Sequence, residues 1–496
     1  MSQERGGGVS SSGGEHGGGS IRFGSASARW VLAATVLGSG IAFLDGTVVN
    51  VALPAISGDL GTSVGGLQWI VNAYLVTLSA LLLLGGSLGD RFGRRRIFVI
   101  GLIGFSVASA LCGLAPSSEV LIAARALQGV GGALLVPGSL AIIAATFDPG
   151  DRGKAIGAWS GLAGVASSIG PFVGGWLIDA GSWRLVFFLN VPLAAVAIAI
   201  AARHVPETKS SSSAPLDVLG ALLVTIGFAA ASFALIEHGG TPSAAAGLVG
   251  VLALAGFAAV QRRSAHPMVP LRIFESHQFT GANLVTFAVY AGLGGGLFLM
   301  VLQLQTTLGY SALEAGAALV PFTILMLLLS PAAGELGQRI GPRLPMTVGP
   351  VVAAVGLFLL AGVTEGSTYV SSVLPGIVVF GLGMALLVAP LTAAVLGGVA
   401  DDLAGIASGI NNAVARLAGL VAVAALPPLA GIAGHGALDV GLDAGFAAAI
   451  RIAAAVTTAG GLIAVVMVRR GAALSVVAHP SVEHACHDPA LAGRGG

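Results

Sequence analysis

Two ionisable side chains of opposite charge stand inside long apolar stretches of this sequence. Asp45 lies in "AFLDGTVVNVALPAI" and Arg125 lies in "AARALQGVGGALLVPG". If successive helices alternate in direction across a bilayer, the two positions reach nearly the same depth at about 1.5 Å per residue. We therefore expect Asp45 and Arg125 to face each other inside a membrane, where ionisable groups are rare and usually functional.

A buried carboxylate has a proton affinity that wetting, burial and nearby charge all change. Protonation of Asp45 would remove its attraction for Arg125 or for a bound cation. Such a pair can exchange a proton for another solute, so we predict that Asp45 and Arg125 couple protons. The alternative is a static Asp–Arg clamp between two helices.

Other polar side chains in apolar stretches are candidates for lining a polar cavity. Arg416 has no acidic partner nearby in the sequence, and functional and structural roles are equally open for it. Arg451, at shallow depth near the start of a later stretch, fits a structural role better. The predicted cavity residues are Asn50, Gln128, Asn411 and Arg416.

The stretch "GSLGDRFGRRR" (86–96) concentrates charge between two apolar segments. Its glycines allow a tight turn and close approach of helix ends. Asp90 can pair with a basic residue or with helix N-terminal amides, and so hold one end of the bundle closed. The alternative is a pure topology anchor. The predicted gate residues are Gly86, Asp90, Arg91, Gly93 and Arg94.

Composition identifies the elements that must hold these residues. Hydrophobic residues make up 55% of the 496 residues and charged residues 9%, whereas soluble domains carry about 25% charged residues. Mean hydropathy is +0.93. The chain is therefore an all-α polytopic membrane protein, and at roughly 20 residues per crossing we count fourteen spans. A net charge of +1 gives no reason to expect nucleic acid as a partner.

The distribution of Lys and Arg predicts the orientation of the spans. With both termini in the cytoplasm, 19 of the 23 Lys and Arg residues lie on the cytoplasmic side, and Arg184 alone lies at an outer edge. No cleaved signal peptide is evident at the N-terminus. We therefore expect a multi-pass protein of a bacterial plasma membrane, in contact with the lipid bilayer.

An internal repeat divides the chain. "GSLGDRFGRR" (86–95) recurs as "GELGQRIGPR" (334–343), with Gln338 in place of the acid, and two shorter matches follow at nearly the same offset. Two parallel six-helix halves are therefore expected. The predicted division is a disordered cytoplasmic tail (1–28), a first half (29–204), a linker with two inserted spans (205–278), a second half (279–468) and a cytoplasmic tail (469–496).

The fifth span carries closely spaced small residues around a proline. Small residues favour close helix contact, and a proline permits a bend where neighbouring helices bury the freed carbonyl. We predict a hinge here, although a simple packing contact is the alternative. The hinge residues are Gly170, Pro171, Gly174 and Gly175.

These motifs together resemble the major facilitator superfamily. The loop at 86–95 is similar to its G-x-L-x-D-R-x-G-R-[KR] signature, and "RALQGVGGA" resembles its fourth-span motif. "LDGTVVNVALPAI" and "WRLVFFLNVP" are similar to the fourteen-span drug:proton antiporters of EmrB/QacA type. "GPFVGG" (170–175) resembles the exporter signature, in which Ala166 replaces the first glycine. The resemblance implies the major facilitator fold and a role for Arg125 in proton transfer.

Other chemistries find less support. The tail residues His479, His484, Cys486 and His487 lack the spacing of a metal site, and Asp401 and Asp402 fit loop solvation better than Mg²⁺ binding. No phosphate-binding GKS/T motif occurs, so we expect no cofactor, and the proton gradient as the energy source.

The sequence predicts a non-enzymatic, proton-coupled exporter of lipophilic small molecules, such as drugs, antibiotics or a secondary metabolite. It would use alternating access and function as a monomer. An importer of a small metabolite, or a membrane-embedded transferase, is the alternative.

Overall fold

The computed structural model describes residues 21–148, 150–210, 216–237, 239–400, 403–432 and 438–469. In this part of the chain, fourteen helices are long and apolar enough to span a membrane, which confirms the predicted number. Strand pairing among these residues is limited to one isolated bridge, between Ile21 and Phe147. Spans 1 to 14 are Ala26–Leu60, Val64–Phe92, Arg94–Gly113, Ser118–Thr146, Arg152–Ala180, Arg184–His204, Val218–Ile236, Gly240–Arg263, His277–Thr306, Ala312–Ile340, Arg343–Leu360, Tyr369–Leu396, Ala404–Leu429 and Gly445–Met467.

The spans are helical because lipid offers no hydrogen bonds to the backbone, so each segment must satisfy its own amides and carbonyls. Side chains cap several helix starts. Ser25 accepts from the amide of Ala28, and Ser63 accepts from the amide of Gly66. Span 1 ends at Gly61, whose left-handed φ of 64° lets its amide reach the Ser57 carbonyl.

Three spans contain irregular turns. Span 6 consists of helices Arg184–Phe188 and Asn190–His204, and span 10 consists of Ala312–Ala318 and Val320–Ile340. Span 12 begins with a π-helical turn over Tyr369–Val373. Such irregularities often mark functional positions in helices.

The first of two compact units contains the described residues within 1–268, 304–317 and 433–438. In it span 1 packs against spans 5 and 6, and span 4 packs against spans 2 and 3. Its core includes Tyr74, Phe98 and Phe105, each at most 1% exposed.

The inserted spans 7 and 8 pack against each other within the first unit, and span 7 also packs against span 2. The rings of Trp69 and Phe233 lie 6.3 Å apart at that contact. Residues 304–317 also belong to this unit, although the repeat assigned them to the second half. The contact-based units and the repeat-based halves therefore have different boundaries.

Residues 21–28, assigned from sequence to the disordered tail, form structure. The amide of Ile21 donates to the Thr146 carbonyl over 2.9 Å. The amide of Phe23 donates to Asp151 over 3.0 Å. Lys154, followed by the Phe23 amide, lowers the pKa of Asp151 because both donate to its ionised form. Residues 1–20, and the second predicted tail beyond Arg469, lie outside the described residues.

The second unit contains the described residues within 269–303, 318–432 and 439–496. Span 12 packs against spans 10 and 11 in this unit. The rings of Phe322 and Phe380 stack at 5.4 Å between spans 10 and 12. Phe279 and Phe298 of span 9 are at most 1% exposed.

Candidate functional site

Asp45 of span 1 and Arg125 of span 4 are in direct contact, as their depths in the sequence suggested. Nη1 of Arg125 lies 2.5 Å from Oδ2 of Asp45, and both side chains are at most 1% exposed. The two opposite charges compensate each other. An unpaired charge at a site this inaccessible to water would be strongly destabilising.

Neutral amides complete the coordination of the pair. Gln128 and Asn190 donate to Oδ1 of Asp45 over 2.8 and 2.9 Å. Nη1 of Arg125 also donates to Oε1 of Gln128 over 2.6 Å, and its Nε donates to the Ile70 carbonyl over 3.2 Å. Both carboxylate oxygens therefore receive hydrogen-bond donors.

Span 3 supplies a second layer of polar groups. Oγ of Ser109 accepts from Gln128 over 3.2 Å and from Asn190 over 3.0 Å. Its own hydroxyl donates to the Phe187 carbonyl over 2.8 Å. The thiol of Cys112 contacts Oε1 of Gln128 at 3.7 Å. We call Asp45, Arg125, Gln128, Asn190, Ser109 and Cys112 the buried network.

An aromatic side chain covers the guanidinium. Cζ of Arg125 lies 4.2 Å from the ring centroid of Tyr74 and 5.9 Å from that of Phe187. The Tyr74 hydroxyl donates to the Ala42 carbonyl over 3.1 Å, which fixes the ring. A cation over an aromatic face is stabilised by about 2 kcal/mol when desolvated. Arg125 therefore keeps favourable contacts even if Asp45 loses its charge.

The structure changes one prediction for the cavity residues. Gln128 was expected to line a cavity, but it is 0% exposed and belongs to the buried network, because it lies one helical turn from Arg125. Asn50 and Arg416 are half-buried in spans 1 and 13. Their predicted role stays a prediction.

Asn411 takes part in a neutral network in the second unit. Its amide donates to Oδ1 of Asn283 over 3.2 Å and to Oγ1 of Thr286 over 2.7 Å. Asn283 in turn donates to the Phe279 carbonyl over 2.9 Å. These bonds join spans 9 and 13 through groups that carry no charge. We call Asn283, Thr286 and Asn411 the neutral network.

At the turn between spans 2 and 3, Asp90 near the end of span 2 pairs with Arg94, the first residue of span 3. Its Oδ1 accepts from Nε and Nη2 of Arg94 over 2.9 and 2.8 Å. Arg91 is exposed and lies over the Phe92 ring at 5.6 Å. A Cβ added at Gly86 would lie 3.6 Å from Cβ of Pro137, an ordinary van der Waals contact.

Glu207 also holds this loop, a residue that the sequence analysis did not single out. Its two carboxylate oxygens accept from the amides of Arg95 and Arg96, each over 3.1 Å, at the start of span 3. A carboxylate at a helix N-terminus is stabilising. Gly93 has φ of 110°, and a Cβ there would lie 2.7 Å from Oε1 of Glu207. The glycine thus provides both the turn and the space for this cap.

The predicted hinge on span 5 packs against span 1. Gly170 faces Thr47, and Gly174 faces Val48, so closely that an added Cβ would overlap either side chain. Thr47 also donates to the Ser167 carbonyl over 2.9 Å.

The end of span 5 holds residues 312–316, which belong to the same unit. Gly175 faces the backbone of Ala312 and Leu313, and Gly316 faces the Pro171 carbonyl. Asp179 accepts from the amides of Ala312 and Leu313 over 3.2 and 3.0 Å. The four motif residues therefore make close helix contacts, and their role as a hinge stays a prediction.

Among the described residues, no group of His, Cys, Asp and Glu side chains is arranged to hold a metal ion. The four tail residues weighed for metal binding, and the pair Asp401 and Asp402, lie outside the described residues.

Comparison with known proteins supplies independent information. A family model described as "Major Facilitator Superfamily" matches residues 35–423. A "probable actinorhodin transporter" of Streptomyces coelicolor is 36% identical over 418 residues, covering 81% of this chain and 72% of the relative. The "puromycin resistance protein pur8" of Streptomyces alboniger is 36% identical, with 80% of each chain covered. A "tetracenomycin C resistance and export protein" of Streptomyces glaucescens is 33% identical, covering 80% of this chain and 74% of the relative.

Solved structures share the fold at low identity. A peptide transporter, POT, matches with a TM-score of 0.67 at 14% identity, covering 89% of this chain and 94% of that one. The human organic anion transporter MFSD10 matches with a TM-score of 0.58 at 19% identity, covering 88% and 99%.

Proposed function

Because the chain belongs to the major facilitator superfamily of membrane transporters, we propose that it exports lipophilic small molecules in exchange for protons. The observation that carries the proposal is the contact between Asp45 and Arg125, a buried acid and base in spans 1 and 4. The names of the relatives refer to transport of actinorhodin, to resistance to and export of tetracenomycin C, and to resistance to puromycin. We therefore propose drugs, antibiotics or a secondary metabolite as the substrate class.

Protonation would drive the cycle through a change in charge. In its ionised state Asp45 neutralises Arg125, and the pair carries no net charge. When Asp45 takes up one proton, the pair becomes a monocation in a low-dielectric site. A charge there is costly unless water or a counter-ion reaches it, so protonation favours a state in which the site is wetted. Alternating access supplies such a state.

The cytoplasmic end would be closed by the loop between spans 2 and 3. Asp90 with Arg94 and Glu207 with the start of span 3 give this loop a defined shape. We propose that both termini are cytoplasmic, in line with the distribution of Lys and Arg, in a bacterial plasma membrane. One chain contains both repeats, so we propose that it functions as a monomer.

The test is an efflux and resistance panel in a pump-deficient bacterial host, with Asp45→Asn beside wild type. We expect wild type to lower dye accumulation and raise toxin resistance. The efflux rate of D45N should be at least tenfold lower than that of wild type. The matched control is Asp59→Asn on the same helix, since Asp59 pairs with Arg184 (2.5 Å) while 47% exposed. D59N is expected to keep most of its efflux.

Inside-out vesicles decide the direction of transport. A pH gradient, acidic inside, should drive uptake of the exported compound into these vesicles. Unchanged efflux in D45N would remove Asp45 from the mechanism. Uptake into intact cells instead of efflux would indicate an importer.

A further inference from the structure

The regular hydrogen-bond pattern of an α-helix is interrupted in span 6 at Leu189, between helices Arg184–Phe188 and Asn190–His204. Pro192 has no amide hydrogen, so the carbonyl four residues earlier cannot receive its usual helical bond. Asn190 is the first residue of the second helix and is 0% exposed. The sequence "WRLVFFLNVP" thus places an amide side chain at an interruption of a membrane helix.

Only the Nδ2 end of the Asn190 amide forms hydrogen bonds with the described residues. Its Nδ2 donates to Oδ1 of Asp45 over 2.9 Å and to Oγ of Ser109 over 3.0 Å. Its Oδ1 is buried and has no hydrogen-bond partner among the described residues. A buried acceptor without a donor is unfavourable, so this oxygen calls for an explanation.

The two protonation states of Asp45 provide an explanation for the unpartnered Oδ1 of Asn190. An ionised carboxylate can only accept hydrogen bonds, whereas a protonated carboxyl group gains one O–H donor. The new donor needs an acceptor. Oε1 of Gln128 already accepts from Arg125 and Cys112. Oδ1 of Asn190 has no partner among the described residues, and a half-turn of the amide exchanges it with Nδ2, the atom that contacts Asp45.

We propose that Asn190 lowers the proton affinity of Asp45, because the bond that it donates to the carboxylate is stronger than the bond that it can accept from the carboxyl group after protonation. This inference rests on the proposed function, because it concerns the same proton site. One proton from water forms the O–H bond of Asp45, and Arg125 stays protonated throughout. Ser109 is a positioning residue, which accepts from Nδ2 of the amide while Asp45 is ionised.

The remaining titratable and charged groups at the site come from three other spans. Arg125 of span 4 pairs with Asp45, Cys112 of span 3 contacts Gln128, and Tyr74 of span 2 donates its hydroxyl to a carbonyl. None of these contacts includes Asn190. Its removal therefore changes the hydrogen bonds of Asp45 without removing a charge.

The test measures the protonation of Asp45 directly in the purified full-length chain in liposomes. Infrared difference spectra between wild type and D45N isolate the carbonyl stretch of protonated Asp45, and its growth with falling pH gives a midpoint. Asn190→Ala removes both bonds, and the lost bond to the charged form is roughly twice as strong as the lost bond to the neutral form. We expect the midpoint to rise by about one pH unit.

Two further variants keep the result interpretable. Asn190→Leu has nearly the same size and should raise the midpoint similarly, even if the cavity left by N190A disturbs folding. Ser39→Ala is the control, since it removes a buried hydroxyl from the same helix as Asp45, where Ser39 bonds Ser139 over 2.7 Å. S39A should leave the midpoint unchanged.

The outcomes separate the two proposals. A midpoint that stays at the wild-type value in both N190A and N190L overturns the inference about Asn190 alone. If the difference spectrum contains no titrating carboxyl band, Asp45 does not take up protons, and the proposed proton coupling fails with it.

Discussion

The two copies of the loop motif have the same turn but different charges. Gly93 and Gly341 both have positive φ, of 110° and 84°, so each repeat retains the glycine that its turn requires. Asp90 and Arg94 of the first copy correspond to Gln338 and Pro342 of the second. The backbone turn is thus common to both units, and the ion pair belongs to the first.

The surroundings of the two loops differ in the same way. In the first unit Glu207 fills the space beside Gly93. In the second unit a cavity of about 330 Å³ lies beside the loop, lined by residues that include Glu275, Gln338 and Arg469.

The contrast extends into the membrane. The first unit contains the buried network with its Asp–Arg pair, and the second contains the neutral network of Asn283, Thr286 and Asn411. The two copies thus share the glycine turn, whereas the buried Asp–Arg pair lies in the first unit.

The largest expected effect comes from breaking the buried pair. Arg125→Ala leaves Asp45 as a buried charge without its partner, which costs about 3–5 kcal/mol. Asn411→Ala removes neutral hydrogen bonds and should cost about 1–2 kcal/mol. Thermal unfolding of the purified variants in detergent micelles measures the difference, expected as a clearly lower melting temperature for R125A.

A double variant refines this test. D45N together with R125A should be less destabilised than R125A alone, since no unpaired charge remains. Equal losses for R125A and N411A would show that the two networks are energetically alike and contradict the comparison.

An intermediate effect is expected at the cap of span 3. Glu207→Ala removes the acceptor for two helix amides, a loss of about 0.5–2 kcal/mol for a capping side chain. The segment that carries Glu207 should detach more often, so trypsin should cleave after Lys209 several-fold faster. Glu335→Ala is the matched control in the second copy, because Glu335 and Arg339 are 3.8 Å apart and both are more than 70% exposed. Equal acceleration of cleavage in both variants would argue against the cap.

The smallest expected effect comes from rebuilding the first copy's pair in the second. Gln338→Asp with Pro342→Arg creates an acid and a base four residues apart, an arrangement that contributes about 0.2–0.5 kcal/mol. Unfolding midpoints should rise slightly in the double variant and not in Q338D alone. An equal gain from Q338D alone would mean that an acid at this position finds another partner.

The sequence determined the fourteen helices, because apolar segments of this length have one way to satisfy their backbone in lipid. It also identified Asp45, Arg125 and Asp90, since charged residues stand out in an apolar chain. The pairing of Asp45 with Arg125 followed from the depth of each residue along its span, which depends only on helix rise.

Only the tertiary structure decided which neutral groups join these charges. Ser109 and Asn190 are ordinary polar residues in apolar spans, and their contact with Asp45 depends on how spans 1, 3 and 6 pack. Glu207 lies more than one hundred residues from the amides that it caps. The sequence shows residue types and the periodicity of apolar residues within a segment. Contacts between distant segments depend on side-chain packing in three dimensions, which no local sequence pattern predicts.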